Sequence, residues 1–247
     1  MLQEELERIA EGFCGTLGLV IEGQESASIN EGVLFPAASV IKIPIMVEAF
    51  RQAGKGLISL DMMMSYEGGV VGGSGLLETL HKKIELTIED YLYLMICVSD
   101  NAATNVLCDF LGIESVNRTI REMGLSSTIL ARKMMDYQPG KENYTTPRDM
   151  ALLLNLIQKK KIVDEKSCEK MRAILTKQQI MGGITFLLPE MEIASKTGEL
   201  ETAFHDVGIV FGKTPYIFCG FTKDVCDIGQ ARLLLAKLSR RVYEVLG

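Results

Sequence analysis

The sequence predicts an α/β (α+β) fold: a five-stranded antiparallel sheet flanked by terminal helices, with an all-helical block inserted between the first two strands and the last three. Three observations predict it. Strand-like alternation is confined to the two ends of the chain, helical periodicity fills the middle, and the last twenty residues form an amphipathic helix able to cover a sheet. At 247 residues, with 47% apolar and 23% charged side chains, the chain is long enough to bury a sizeable core.

Leu2, Leu6, Ile9 and Ala10 recur at helical spacing and stop at Gly12, which predicts a short opening helix. Residues 15–22 alternate and, with a turn at 23–25, pair as a hairpin with 26–30. Residues 38–53 form a helix with a mainly apolar front. Five glycines between Gly68 and Gly75 are too many for a regular element, so 67–76 is a loop. Thr87 is an N-cap for a helix running to Ser99, and helices 102–111 and 114–123 are stopped by Gly112 and Gly124. Thr146-Pro147 places a hydroxyl at the N-cap and proline at the first helical position, and Asp164 caps a further helix to about Lys177. Strands follow at 193–196, 207–211 and 216–221, and helix 228–246 closes the chain. On this reading residues 1–38 and 177–247 form a discontinuous sheet domain, residues 39–176 an all-α domain, and the active site lies at their interface.

Composition removes several classes of function. A net charge of −6 and a pI near 5.2 disfavour a nucleic-acid partner, because phosphate binding needs clustered cations. No apolar run approaches the ~18 residues of a membrane span. His81 and His205 are too few for a zinc motif, and no metal or other cofactor is expected. The cysteines at 14, 97, 108, 168, 219 and 226 lack the density of a secreted disulfide scaffold and are expected to be mostly inert core thiols. The acidic N-terminus is not a signal peptide, so the cytoplasm is the expected compartment; a mature chain already trimmed of its leader would look the same, and export is then the alternative.

The informative tetrad is Ser39-Val40-Ile41-Lys42 at the start of a helix. Three residues apart on a helix, the amine lies one turn above the hydroxyl and can reach it. A lysine made neutral by burial and neighbouring cations can accept the serine proton. Spacing alone is weak: Ser167-Cys168-Glu169-Lys170 repeats it on a polar, surface-facing helix. A second element, Ser99-Asp100-Asn101, breaks an apolar helical run with three residues that favour caps and turns. The third, Lys196-Thr197-Gly198, sits at the end of a strand.

The motifs S-x-x-K, S-D-N and K-T-G, in this order and these contexts, resemble those of the class A β-lactamase and penicillin-recognising serine hydrolase family. The resemblance spans most of the chain. It implies a β-lactamase-like fold and a serine hydrolase that forms an acyl-enzyme on a β-lactam or a related amide or ester. By that resemblance Ser39 is the nucleophile, Lys42 activates it, Ser99 relays a proton to the leaving nitrogen, and Asn101 holds the substrate amide. Lys196 supplies positive potential, Thr197 binds the substrate carboxylate, and the backbone N–H groups of Ser39 and Glu199, the residue after Gly198, form the oxyanion hole.

The sequence departs from the family in the Ω loop, where a glutamate followed by proline, with asparagine three positions later, activates the deacylating water. The corresponding stretch, 132–144, looks shorter, and aligned on Pro139 the glutamate position holds Gln138, which cannot take a proton. Glu142, adjacent to Asn143, and Asp136 are the remaining candidate bases. If neither serves, the protein acylates and stalls, as a penicillin-binding protein, DD-peptidase-like enzyme or slow esterase or amidase would; a non-catalytic sensor or pseudoenzyme is the rival from another class. The partner expected is a small molecule, and the chain is expected to be a monomer.

Other signals are weaker. Residues 208–214 imitate a phosphate loop but run into Pro215 and a strand. His205-Asp206 reads as the polar start of a strand rather than part of a cleft. The 13 methionines, including Met62-Met63-Met64 and Met134-Met135, read as flexible core filler, and Lys159-Lys160-Lys161 as a cationic helix end.

Overall fold

A computed structural model describes residues 1–80 and 83–247, so the expectation about His81 lies outside the described residues. Helix α1 (Leu2–Ala10) leads into β1 (Thr16–Glu22), β2 (Ala27–Ile29) and β3 (Phe35–Pro36). A 3₁₀ turn (Ala38–Ile41) runs into α2 (Lys42–Gly54), and β4 (Met63–Tyr66) and β5 (Ile84–Thr87) follow. The helical block continues with α3 (Ile88–Cys97), α4 (Asn101–Leu111) and α5 (Ile113–Glu122). After β6 (Tyr144–Thr145) come α6 (Pro147–Gln158) and α7 (Glu165–Leu175), then β7 (Ile193–Leu200), β8 (Ala203–Val210), β9 (Tyr216–Lys223) and α8 (Ile228–Leu246).

Five of the strands form one sheet in the order β2-β1-β9-β8-β7, with every pair antiparallel. One face carries Leu19, Ile21, Phe204 and Phe218 against α1 and α8, while the other carries Val20, Val207, Ile209 and Phe221 against the helical block. This two-sided burial follows from the pleat, which sends alternate side chains to opposite faces. The helix starts behave as their cap residues dictate: Thr87, Thr146 and Asp164 each accept a hydrogen bond from the third residue of the helix they open.

The structure corrects three expectations and adds a disulfide. The middle of the chain is not all helix, because β4 pairs with β5 and β3 pairs with β6. Strand β7 continues past Lys196 to Leu200, so Lys196-Thr197-Gly198 lies inside the strand and Lys196 is fully buried. Met62, Met63 and Met135 are exposed, whereas Met134 is buried. Cys14 and Cys226 form a disulfide, with Cα atoms 5.9 Å apart and a sequence separation of 212; Cys97, Cys108, Cys168 and Cys219 are buried free thiols. Nothing in the cysteine spacing signals that bridge, because the pairing depends on the sheet bringing the α1–β1 and β9–α8 connections together.

Closing so long a loop restricts the unfolded chain strongly. Reduction, or replacement of both Cys14 and Cys226 by serine, is expected to lower the unfolding free energy measured in urea by about 2–4 kcal/mol; an unchanged midpoint under reductant would contradict this.

Candidate active site

Ser39 sits in the 3₁₀ turn and Lys42 opens α2, where its side chain is completely buried. Ala38, with φ of 46°, bends the chain sharply into this turn. Strand β7 presses on the same point. A Cβ placed on Gly198 would lie 3.1 Å from the Ser39 nitrogen and 3.0 Å from the Ala38 Cβ, so a side chain here would crowd the turn and the bare backbone lets the strand approach closely.

The break between α3 and α4 supplies the next groups. Ser99 adopts the left-handed conformation, φ 55°, which costs roughly 1 kcal/mol for a residue with a Cβ. Asp100 offsets that cost. Its carboxylate caps α4 through the Ala103 nitrogen (2.8 Å) and accepts from the Leu76 and Leu77 nitrogens (2.6 and 2.7 Å), tying down the glycine-rich loop. With the chain turned this way, Lys42 Nζ donates to the Ser99 carbonyl (2.6 Å) and Asn101 Oδ1 (2.9 Å) and lies 3.0 Å from Ser99 Oγ. From β7, Lys196 Nζ donates to Ser99 Oγ (3.1 Å) and the Thr197 carbonyl (2.9 Å).

Two buried lysines therefore meet at one hydroxyl. Desolvation, then the proximity of Lys196, holds Lys42 well below the usual lysine range. Desolvation brings Lys196 down to about 7, against a smaller opposing pull from Asp206. A neutral Lys42 has two N–H donors, which match the Ser99 carbonyl and Asn101 Oδ1, and a lone pair free to accept a hydroxyl proton.

Ser39 borders two cavities. One, of about 200 Å³, is walled by Gly73, Asn101, Met134, Glu142 and Glu199; the other, of about 540 Å³, by Ser74, Ser99, Thr197, Glu201 and Arg232. Glu142 reaches the first cavity, but both its oxygens accept from Arg132 Nη2 (2.8 and 3.0 Å), and Oε1 also accepts from the Asn143 nitrogen (2.8 Å). It closes the loop as an ion pair. Asp136 accepts from Gln138 (2.9 Å), and neither residue lines a cavity with Ser39. Glu199 pairs with Arg232. Met134 lines the same cavity wall as Glu142, and its backbone N–H and carbonyl are both held by the Asn105 side chain (2.8 and 3.0 Å).

Ser39, Lys42, Ser99, Asn101, Lys196, Thr197, Gly198 and Glu199 are thus brought together, whereas Glu142 arrives already paired. The control pair separates: Ser167 Oγ donates to Asp164, and Lys170 pairs with Glu89. His205 and Asp206 are fully buried in β8, contrary to their reading as a polar strand start. His205 is held down to about 4 by burial, so it is neutral near neutral pH; Nδ1 accepts from the Thr222 nitrogen (3.3 Å) and Nε2–H donates to the Pro36 carbonyl (2.7 Å), anchoring β3 two residues before Ala38. Arg132, Met134 and Asn105 were missed because their roles depend on loop closure, which leaves no spacing signal.

The profile of the Beta-lactamase enzyme family matches residues 1–246. The chain belongs to that family. A β-lactamase structure from Sphaerobacter thermophilus is 31% identical, with the alignment covering 100% of this chain and 96% of that one at a TM-score of 0.92. PBP-A is 26% identical over 99% of this chain and 95% of that one, with a TM-score of 0.89, and a PBP-A variant has been solved as an acyl-enzyme complex with penicillin G. A curated β-lactamase from Bacteroides uniformis is 22% identical over 271 residues, covering 99% of this chain and 91% of the relative. This β-lactamase family member is a serine β-lactamase-like hydrolase. No helix among its described residues is long and apolar enough to cross a membrane.

Burial pushes Asp206 up to about 7 from an ordinary aspartate value, despite the hydrogen bond from the Ile184 nitrogen. Between about pH 4 and 7 the folded state therefore holds a proton that the unfolded state has released, and this group's contribution to stability falls as pH rises. Relative to wild type, Asp206→Asn is expected to gain stability from pH 5 to pH 8 in urea unfolding; a pH-independent difference would contradict the assignment.

Proposed function

We propose that this protein acylates itself at Ser39 with β-lactams or related strained amides and esters and releases the product slowly. The observation that carries the reading is the convergence of Lys42 and Lys196 on Ser99 Oγ beside a serine-bordered cavity in which Glu142 and Glu199 are both paired with arginines and the third wall carboxylate, Glu201, is exposed in the β7–β8 turn. In this mechanism Ser39 Oγ attacks the lactam carbonyl carbon as its proton passes to the neutral amine of Lys42. The oxyanion is met by the Ser39 and Glu199 backbone N–H groups. The carbon–nitrogen bond breaks, and the proton travels from Lys42 through Ser99 to the departing nitrogen, leaving an ester on Ser39.

Hydrolysis of that ester needs a base for the incoming water. Glu142 is committed to Arg132, and the wall beside it is the apolar Met134. Slow release follows, and the acyl-enzyme of the PBP-A variant with penicillin G supports a β-lactam as the acylating compound. The Cys14–Cys226 disulfide supports an oxidising compartment, and hence export, over the cytoplasm.

Intact-protein mass spectrometry with benzylpenicillin is expected to show one long-lived adduct. It is abolished by Ser39→Ala and kept by Ser167→Ala; absence of any adduct would favour a pseudoenzyme. A chromogenic cephalosporin is expected to give a burst followed by slow turnover. Fast turnover abolished by Glu142→Gln would instead make Glu142 the base. Met134→Glu, which places a carboxylate in the cavity wall, is expected to shorten the adduct's lifetime by at least about tenfold.

A further inference from the structure

Thr197 ends in a hydroxyl that has one proton to give and two lone pairs. Gln178 Nε2 donates to Thr197 Oγ1 at 3.2 Å, and among the described residues no protein group accepts the Thr197 proton. That amide cannot turn over freely. Gln178 Oε1 accepts from the Ile180 nitrogen (3.1 Å), so the NH₂ end is the one left facing Thr197.

The loop carrying Gln178 is clamped at both ends. The Gln179 nitrogen donates to the Cys97 carbonyl (2.9 Å), two residues before Ser99, and the Ile184 nitrogen donates to buried Asp206, the cross-strand partner of Thr197. At Gly182 a Cβ would lie 2.3 Å from Asp206 Oδ2 and 2.5 Å from Thr197 Cγ2, so the loop seats directly over this pair only because the position is bare. Ile180 and Thr197 then line the 540 Å³ cavity together with Ser39 and Ser99.

We infer that Gln178 is a positioning residue for substrate binding: by filling a lone pair of Thr197 Oγ1 it directs the threonine proton into the cavity, toward the carboxylate of the acylating compound. Donation into one side of a hydroxyl also strengthens the bond it gives on the other. A substrate carboxylate thus meets a hydroxyl already committed to the donor role, with no second acceptor competing for its proton. This rests on the acylation proposed above for Ser39.

The test compares benzylpenicillin with its methyl ester, which lacks the anionic group, and separates the binding constant from the limiting acylation rate. Gln178→Glu presents a carboxylate that takes the Thr197 proton for itself. It is expected to weaken the binding constant for benzylpenicillin at least about tenfold, with a much smaller effect on the limiting acylation rate and on the methyl ester. Gln178→Ala, which leaves the hydroxyl undirected, falls between wild type and Gln178→Glu. Parallel slowing of both compounds, or a fall confined to the limiting rate, would show a merely structural role and overturn the inference, as would unchanged kinetics. Absence of any adduct on the wild-type protein would instead overturn the acylation at Ser39.

Discussion

Two lysine side chains buried against one serine hydroxyl form the constraint from which the rest of the site follows. A buried ammonium is costly, and two close together more so. Neither Lys42 nor Lys196 forms a salt bridge within 4 Å among the described residues, so their burial is balanced by lowered basicity and by hydrogen bonds to Ser99 and its neighbours. The same balance favours base chemistry: burial eases loss of the Lys42 proton, and an amine without its extra proton can accept one.

The fold spends conformational strain to hold that arrangement. Left-handed Ser99 turns its carbonyl and hydroxyl toward Lys42, Ala38 bends the chain into the turn bearing Ser39, and Gly198 lets β7 close on the Ser39 amide. Each depends on an anchor elsewhere: Asp100 bridges the helix break to the glycine-rich loop, and His205 ties β3 to β8. The disulfide belongs to this frame as well. It fixes the connection ahead of α8, whose Arg232 faces the cleft, while the Val225 nitrogen bonds the Thr202 carbonyl in the β7–β8 turn (3.1 Å).

Local signals made most of the fold legible in the sequence. Thr87, Thr146-Pro147, Asp164 and the apolar spacing of α8 mark their elements because caps and amphipathic faces are decided within a few residues. The S-x-x-K, S-D-N and K-T-G residues were legible for a similar reason, since each motif is short and local. What remained hidden depends on distant pairing. The length of β7 comes from its ladder with β8, the short β4–β5 ladder from a chain reversal within the helical block, the β3–β6 ladder from two segments far apart in sequence, and the Cys14–Cys226 bridge from the meeting of the two chain ends. The pairing of Glu142 with Arg132 was not legible because the two meet only when the loop closes.

The most direct test of the account is a pH titration of ε-¹³C-labelled lysines by NMR, with Lys42→Arg and Lys196→Arg used for assignment. The account predicts that Lys196 titrates near 7 and Lys42 well below an ordinary lysine. Titration of both near 10.4, as for exposed lysines, would contradict it.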